Sequence, residues 1–139
     1  MRITQGAFSF LDDLTDTQIE AQVRHCISQG WAVSIECTDD PHPRNTYWEM
    51  WEQPQFDLVD PGTVMASLAG CRRERPRDYI RICGFDATRG WESLRTSFIV
   101  QRPPHEPGFR IERTQRDGRS LGYTTRPYAT DLPPGERYR

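Results

Sequence analysis

Chemistry needs a nucleophile, a base, a metal shell or a phosphate cradle, and the sequence offers few starting points for any of them. Histidines stand at positions 25, 42 and 105, one on a helical pattern and two in proline-rich loops. None neighbours a Ser or Cys in an elbow such as GxSxG. All 18 basic residues are Arg. No lysine is present for Schiff-base work or a phosphate-binding P-loop, and no glycine-rich phosphate loop occurs. Cys37 and His42, with Asp39 and Asp40 between them, come nearest to a metal-ligand spacing. One Cys and one His fall short of the donor set a zinc site requires. Asp39 and Asp40 have the right type for acid–base work, but a solvated turn accounts for them better. The stretch Asn45–Leu58, NTYWEMWEQPQFDL, is different: it gathers Tyr47, Trp48, Trp51 and Phe56. Aromatics at that density serve a core, a ligand pocket or an interface.

The rest of the composition narrows the choice. A length of 139 residues suits a single domain, and 35% hydrophobic content supports one modest core. No apolar run reaches the length of a membrane span. The N-terminal MRITQGAFSFLDDL lacks an apolar h-region, so it is expected to belong to the mature protein. The net charge of −2 argues against a dedicated nucleic-acid binder. Arg in place of Lys suits interfaces, where the planar guanidinium pairs with carboxylates and stacks on rings; codon usage in a GC-rich genome would give the same result. Cys26, Cys37, Cys71 and Cys83 form no CxxC pair and sit at apolar-periodic positions. They read as buried free thiols in a reducing cytosol.

Elements follow from pattern. Residues 1–14 form an arm anchored by Ile3, Phe8, Phe10 and Leu11. Thr15 with Gln18 makes a capping box, Leu14 with Ile19 a hydrophobic staple, and Ile19, Val23, Cys26 and Ile27 a helical stripe ending at Gly30. His25 lies off that stripe and is expected in solvent. Residues 31–38 alternate as a half-buried strand, with Trp31, Val33, Ile35 and Cys37 on one face. The next strand covers the aromatic segment up to Pro54, with Tyr47, Glu49 and Trp51 on one side and Trp48 and Met50 on the other. A second helix opens with Asp60 as cap, Pro61 at its first position and Val59 stapled to Val64; Val64, Leu68 and Cys71 form its stripe. DYIRICGF and WESLRTSFIVQ read as a hairpin joined by DATRG. A composition shift at 102–108 precedes a second hairpin over 109–127. Asp117-Gly118 is its expected two-residue turn, with positive φ at both positions.

The expected architecture is α+β: a four-stranded antiparallel sheet, two helices packed on one face, and a C-terminal β-hairpin extension. The domain boundaries read as 1–103 and 104–139. A sheet of this size presents on the order of 400 Å² on the face the helices leave open, which marks a contact site. The arm and the last hairpin also need something to pack on, and a partner protein serves all three. The rival reading is a small single-stranded nucleic-acid-binding module that stacks bases on sheet aromatics. Its element order is wrong for an RNA-recognition motif, which begins with a strand.

FSFLDDLTDTQI, QGWAVSIE, DDPHPRNTYWEMW and the YIRICGFD…SFIV blocks, in that order from about Ile3 to Pro103, resemble the small subunit of ribulose-1,5-bisphosphate carboxylase/oxygenase (Rubisco). Tyr47-Trp48-x-Met50-Trp51 is the most specific block. The short loop between the first two strands and the C-terminal hairpin resemble the red-type form I branch of proteobacteria and non-green algae. Asp12 stands where the family usually has Pro, and Gln53 where an apolar residue is common. The resemblance implies a cytoplasmic, bacterial, non-catalytic subunit that holds no cofactor. Magnesium and the carbamylated lysine belong to the large subunit. Eight small and eight large subunits would form a hexadecamer for Calvin-cycle carbon dioxide fixation, with the small subunits stabilising the large-subunit octamer and modulating turnover and CO2/O2 specificity. Neither nucleic acid nor membrane is an expected partner. The resemblance assigns large-subunit contact to Phe8, Phe10, Leu11, Arg44, Tyr47, Trp48, Glu49, Met50, Trp51, Pro54 and Phe56. It assigns the central channel, against neighbouring small subunits, to the hairpin with Phe109, Ile111, Asp117, Gly118, Leu121 and Tyr123.

Overall fold

A computed structural model describes residues 13–39, 47–104, 109–115 and 117–127. The chain divides into two compact units, with the break between Pro104 and His105. The arm anchors Ile3, Phe8, Phe10 and Leu11 lie outside the described residues, as do Arg44 and His42.

In the larger unit the order is α1 (Asp16–Ser28), β1 (Ala32–Thr38), β2 (Glu49–Met50), α2 (Gly62–Glu74), β3 (Tyr79–Asp86) and β4 (Ser93–Gln101). The strands form one antiparallel sheet in the order β2-β1-β3-β4. α1 begins where its capping box requires. The Thr15 hydroxyl accepts the Gln18 N–H at 3.3 Å, and the Gln18 side chain accepts the Thr15 N–H at 2.9 Å. Gly30 adopts φ +70° just past the helix, the left-handed geometry that ends it. Ile19, Val23 and Cys26 are wholly buried, and Leu14 packs on the same core.

α2 starts one residue later than its sequence suggests. Pro61, at φ −78° and ψ −6°, occupies the cap position itself. Asp60 still satisfies a helix donor, accepting the Gly62 N–H at 2.6 Å. Val59 is then too far out to reach Val64 and stands in solvent, so the expected staple does not form. The Val64, Leu68 and Cys71 stripe is fully buried. Arg72 closes the helix layer from the other end: it donates to Asp16 at 2.7 Å and to the Val100 carbonyl at 3.0 Å. One guanidinium thus ties α1, α2 and β4.

One core lies between helices and sheet, built from α1, α2, Val33, Ile35 and Cys37 of β1, Ile80 and Ile82 of β3, and Phe98 and Val100 of β4. β1 is buried on both faces, not half-buried as its alternation suggests: Ala32, Ser34 and Thr38 are out of solvent too. It is a central strand, and the face away from the helices has its own apolar cluster of Trp48, Tyr79 and Ile99. At Gly84 of β3 the helix layer comes close. A Cβ there would lie 2.8 Å from Cys26 Sγ and 2.9 Å from Thr96 Cγ2.

The smaller unit is a hairpin of β5 (Phe109–Gln115) and β6 (Leu121–Pro127). Its turn is longer than Asp117-Gly118 alone. Gln115 pairs with Leu121, so the strands close outside the Asp117-Gly118 dipeptide. Asp117–Arg119 make a 3-10 turn in which Gly118 takes φ +73°, while Asp117 stays right-handed. The Ser120 hydroxyl donates to the Asp117 carbonyl at 3.0 Å. A right-handed turn followed by one left-handed glycine suits a longer loop, not the two-residue hairpin.

Candidate functional site

The strand expected over the aromatic segment is mostly not a strand. Only Glu49 and Met50 pair with β1, opposite Cys37 and Glu36. Trp51 N–H still donates to the Ile35 carbonyl at 2.9 Å, and Val33 and Gln55 exchange two backbone hydrogen bonds. Between them the chain leaves the ladder, as Pro54 with no N–H demands. Trp51 packs against the main core, its Cζ2 3.9 Å from where a Gly70 Cβ would stand. An alanine methyl at that position would meet the indole at ordinary contact distance.

Glu49 and Trp51 fall on the helix side and Trp48 and Met50 on the other, as alternation suggests, but alternation did not give the depths. Trp48 is only 7% exposed, whereas Tyr47 is 68%, Met50 45% and Phe56 54% exposed. Trp48 is therefore a core ring on the face away from the helices, and Trp51 is half-buried under α2. The exposed apolar groups lie between and after them. Pro54 is half-buried and Glu49 exposed. Phe56 packs edge-on against Phe85 of β3, with centroids 5.8 Å apart, and Asp57 at φ +51° turns the chain just after it.

Charged side chains fix this segment in place. Arg75 Nη2 donates to both Glu49 oxygens at 2.9 Å. Arg81 donates to Glu36 Oε2 from Nε at 2.7 Å and from Nη2 at 2.6 Å. The same guanidinium carbon lies 4.2 Å from the Trp48 ring centroid. The Ser67 hydroxyl of α2 hydrogen-bonds Glu52. The indole N–H groups of Trp48 and Trp51 are buried and meet no acceptor among the described residues.

In the smaller unit, Leu121 and Tyr123 are exposed, and Asp117 and Gly118 lie in the exposed turn. Phe109 and Ile111 take their places in the ladder opposite Pro127 and Thr125. Pattern reading missed Trp91, beside the β3–β4 turn, and Leu94, opposite Phe85; both are exposed. Trp91 falls outside any period, so its type alone marked it.

No group of three metal-ligating side chains comes together among the described residues. His25 is exposed and meets Trp31 edge-on at 5.6 Å. The four cysteines are free and buried. Burial pushes the Cys83 thiol up to about 11. The hydrogen bond with Cys37, then burial, raises Cys71 far above the thiolate range. Cys71 and Cys83 therefore stay as packed thiols, while the same hydrogen bond with Cys71 lowers Cys37. Trp48, the ring on the sheet face away from the helices, is covered and offers no stacking surface to a base. Exposed aromatic and thioether groups stand along a segment held by ion pairs, side-chain types that are enriched at protein contacts.

Residues 5–103 match the sequence profile of the family described as ribulose bisphosphate carboxylase, small chain. The chain is similar to the ribulose bisphosphate carboxylase small subunit of Cereibacter sphaeroides, 64% identical over 124 residues, covering 89% of this chain and 96% of the relative. The small subunit of Porphyra purpurea is 53% identical over 138 residues, covering 99% and 100%. Among solved structures, a chain of Rubisco from Galdieria partita superposes with a TM-score of 0.83 at 51% identity, over 99% of this chain and 100% of that one.

Proposed function

Because the chain belongs to the ribulose bisphosphate carboxylase small-chain family, we propose that it works as the non-catalytic small subunit of Rubisco, the enzyme that carboxylates and oxygenates ribulose-1,5-bisphosphate in the Calvin cycle. It associates with the large subunit. The observation that carries this role is the exposure of Tyr47, Met50 and Phe56 on a segment whose other rings are packed inward. Exposed aromatics and Met around a buried anchor are the composition of a binding hot spot.

The finer assignments form part of the same reading. Tyr47, Glu49, Met50 and Phe56 touch the large subunit directly; Trp48, Trp51 and Pro54 support that contact from behind; Phe8, Phe10, Leu11 and Arg44 extend it. Eight copies join eight large subunits, stabilise their octamer, and tune turnover and CO2/O2 specificity from a distance. Magnesium and the carbamylated lysine sit in the large subunit. The chain is of the red type, cytoplasmic and bacterial, and its hairpin meets neighbouring small subunits through Leu121 and Tyr123. Similarity to red-algal relatives that spans the hairpin supports the subtype.

Mixing the purified chain with large-subunit octamers tests the role. Co-elution with raised carboxylase activity is expected. Carboxylase activity in the chain alone, or no association, would overturn it.

A further inference from the structure

β2 is only two residues long, and so short a ladder orients little by itself. The other backbone hydrogen bonds to β1 come from Trp51 and Gln55, so the part that carries Tyr47 and Trp48 is aimed largely by side chains. Glu36 of β1 and Arg81 of β3 are paired in register, so they lie side by side on the face away from the helices. Their side chains are 13% and 17% exposed and bonded at 2.6 and 2.7 Å. The carboxylate fixes the guanidinium, and the guanidinium lies 4.2 Å from the centre of Trp48. Trp48 stands directly between exposed Tyr47 and the Glu49–Met50 pair. A partly buried ion pair adds little net stability over an apolar pair of similar shape. Its distinctive property is geometry: a planar cation held at one angle dictates where the ring above it sits.

We infer that the Glu36–Arg81 pair is a positioning device for partner binding: through Trp48 it sets where Tyr47 and Met50 stand before the large subunit arrives. The inference rests on the reading that this segment docks on the large subunit. Neither Glu36 nor Arg81 belongs to the expected contact set. They act by pre-organisation, which raises affinity by removing an ordering cost.

The test titrates large-subunit octamers with full-length variants, at a temperature where far-ultraviolet circular dichroism shows each to be folded. Arg81→Met should weaken uptake by roughly tenfold, the scale of a shielded cation–π contact. Glu36→Gln keeps the shape but drops the ionic tether, and should weaken it by roughly threefold. The deciding measurement repeats both changes in a Tyr47→Ala/Met50→Ala background. A positioning pair has little left to position there, so its effect should shrink to less than half; a merely structural pair gives losses that add. If Arg81→Met does not fold, Glu36→Gln carries the same cycle. Unaltered uptake by Glu36→Gln and by any folded Arg81→Met, or additive losses, overturns the inference. Failure of the unaltered chain to join the octamers overturns the underlying reading instead.

Discussion

Replacing Gly84 with Ala tests how closely the helix layer rests on the sheet. The new Cβ would lie 2.8 Å from Cys26 Sγ and 2.9 Å from Thr96 Cγ2. A methyl group needs roughly 3.5–4.0 Å, so each neighbour must retreat by the better part of an ångström. Thr96 is partly exposed and can turn away, but Cys26 is wholly buried on α1. Relief there means moving the helix. Overpacking of this kind costs about 1–3 kcal/mol. Gly84 does not have positive φ, so Ala adds no backbone strain and regains about 0.4–1 kcal/mol through the unfolded chain. The expected net loss is about 1–2 kcal/mol. Urea unfolding of the full-length chain reads it as a lower midpoint with an unchanged slope. Cys26→Ala should cost less in the Gly84→Ala chain than in the unaltered one, because the new methyl occupies the vacated space. A midpoint for Gly84→Ala equal to the parent's would show that α1 and β3 are not in contact at this point.

Trp51→Ala removes a ring that touches the main core and spans the gap at Gly70; it should cost about 2 kcal/mol or more in both chain stability and large-subunit uptake, and normal co-purification with the large subunit would contradict this. Truncation after Pro104, at the break between the units, should leave the cooperative unfolding of the larger unit intact and lower the melting temperature of the holoenzyme; an unchanged holoenzyme melting profile would remove the hairpin from assembly. Hydrogen bonds from the Thr88 hydroxyl and N–H, then from Arg95, hold the Asp86 carboxyl down at about 2. A carboxyl depressed in the folded state stabilises above its unfolded value near 4 and loses that contribution as pH falls from about 4 to 2. Asp86→Asn should therefore lower the urea midpoint at pH 6 and lose that difference toward pH 2, and a difference independent of pH would rule out the carboxylate. Asp86 is half-buried but still in contact with solvent, and its Arg95 partner is more exposed, so the effect is small.

Local signals were legible wherever one segment decided its own structure. The Thr15–Gln18 box and Gly30 bound α1 because capping depends on residues a turn apart. In β4 simple alternation places Phe98 and Val100 on the helix face and Ile99 opposite. Depth was not legible. Tyr47 and Trp48 are neighbours of similar type, yet one is exposed and the other buried, because Arg81 lies under only one of them. The Glu36–Arg81 pair depends on strand register over 45 positions of separation, which no local period encodes. Val59 misled for a smaller reason: Pro61 and Asp60 divided the capping between them and shifted the helix start by one residue. In the last hairpin Asp-Gly was the right turn chemistry at the wrong loop length, because strand pairing beyond the turn fixed the register.

The four interior sulfhydryls, together with the complete lack of lysine, leave the folded surface nearly blank to maleimides and to amine-directed reagents. A single cysteine introduced at Val59, which stands in open solvent, would be a selective attachment point for a dye. Chemistry that usually demands a cysteine-free background can thus begin from the natural sequence.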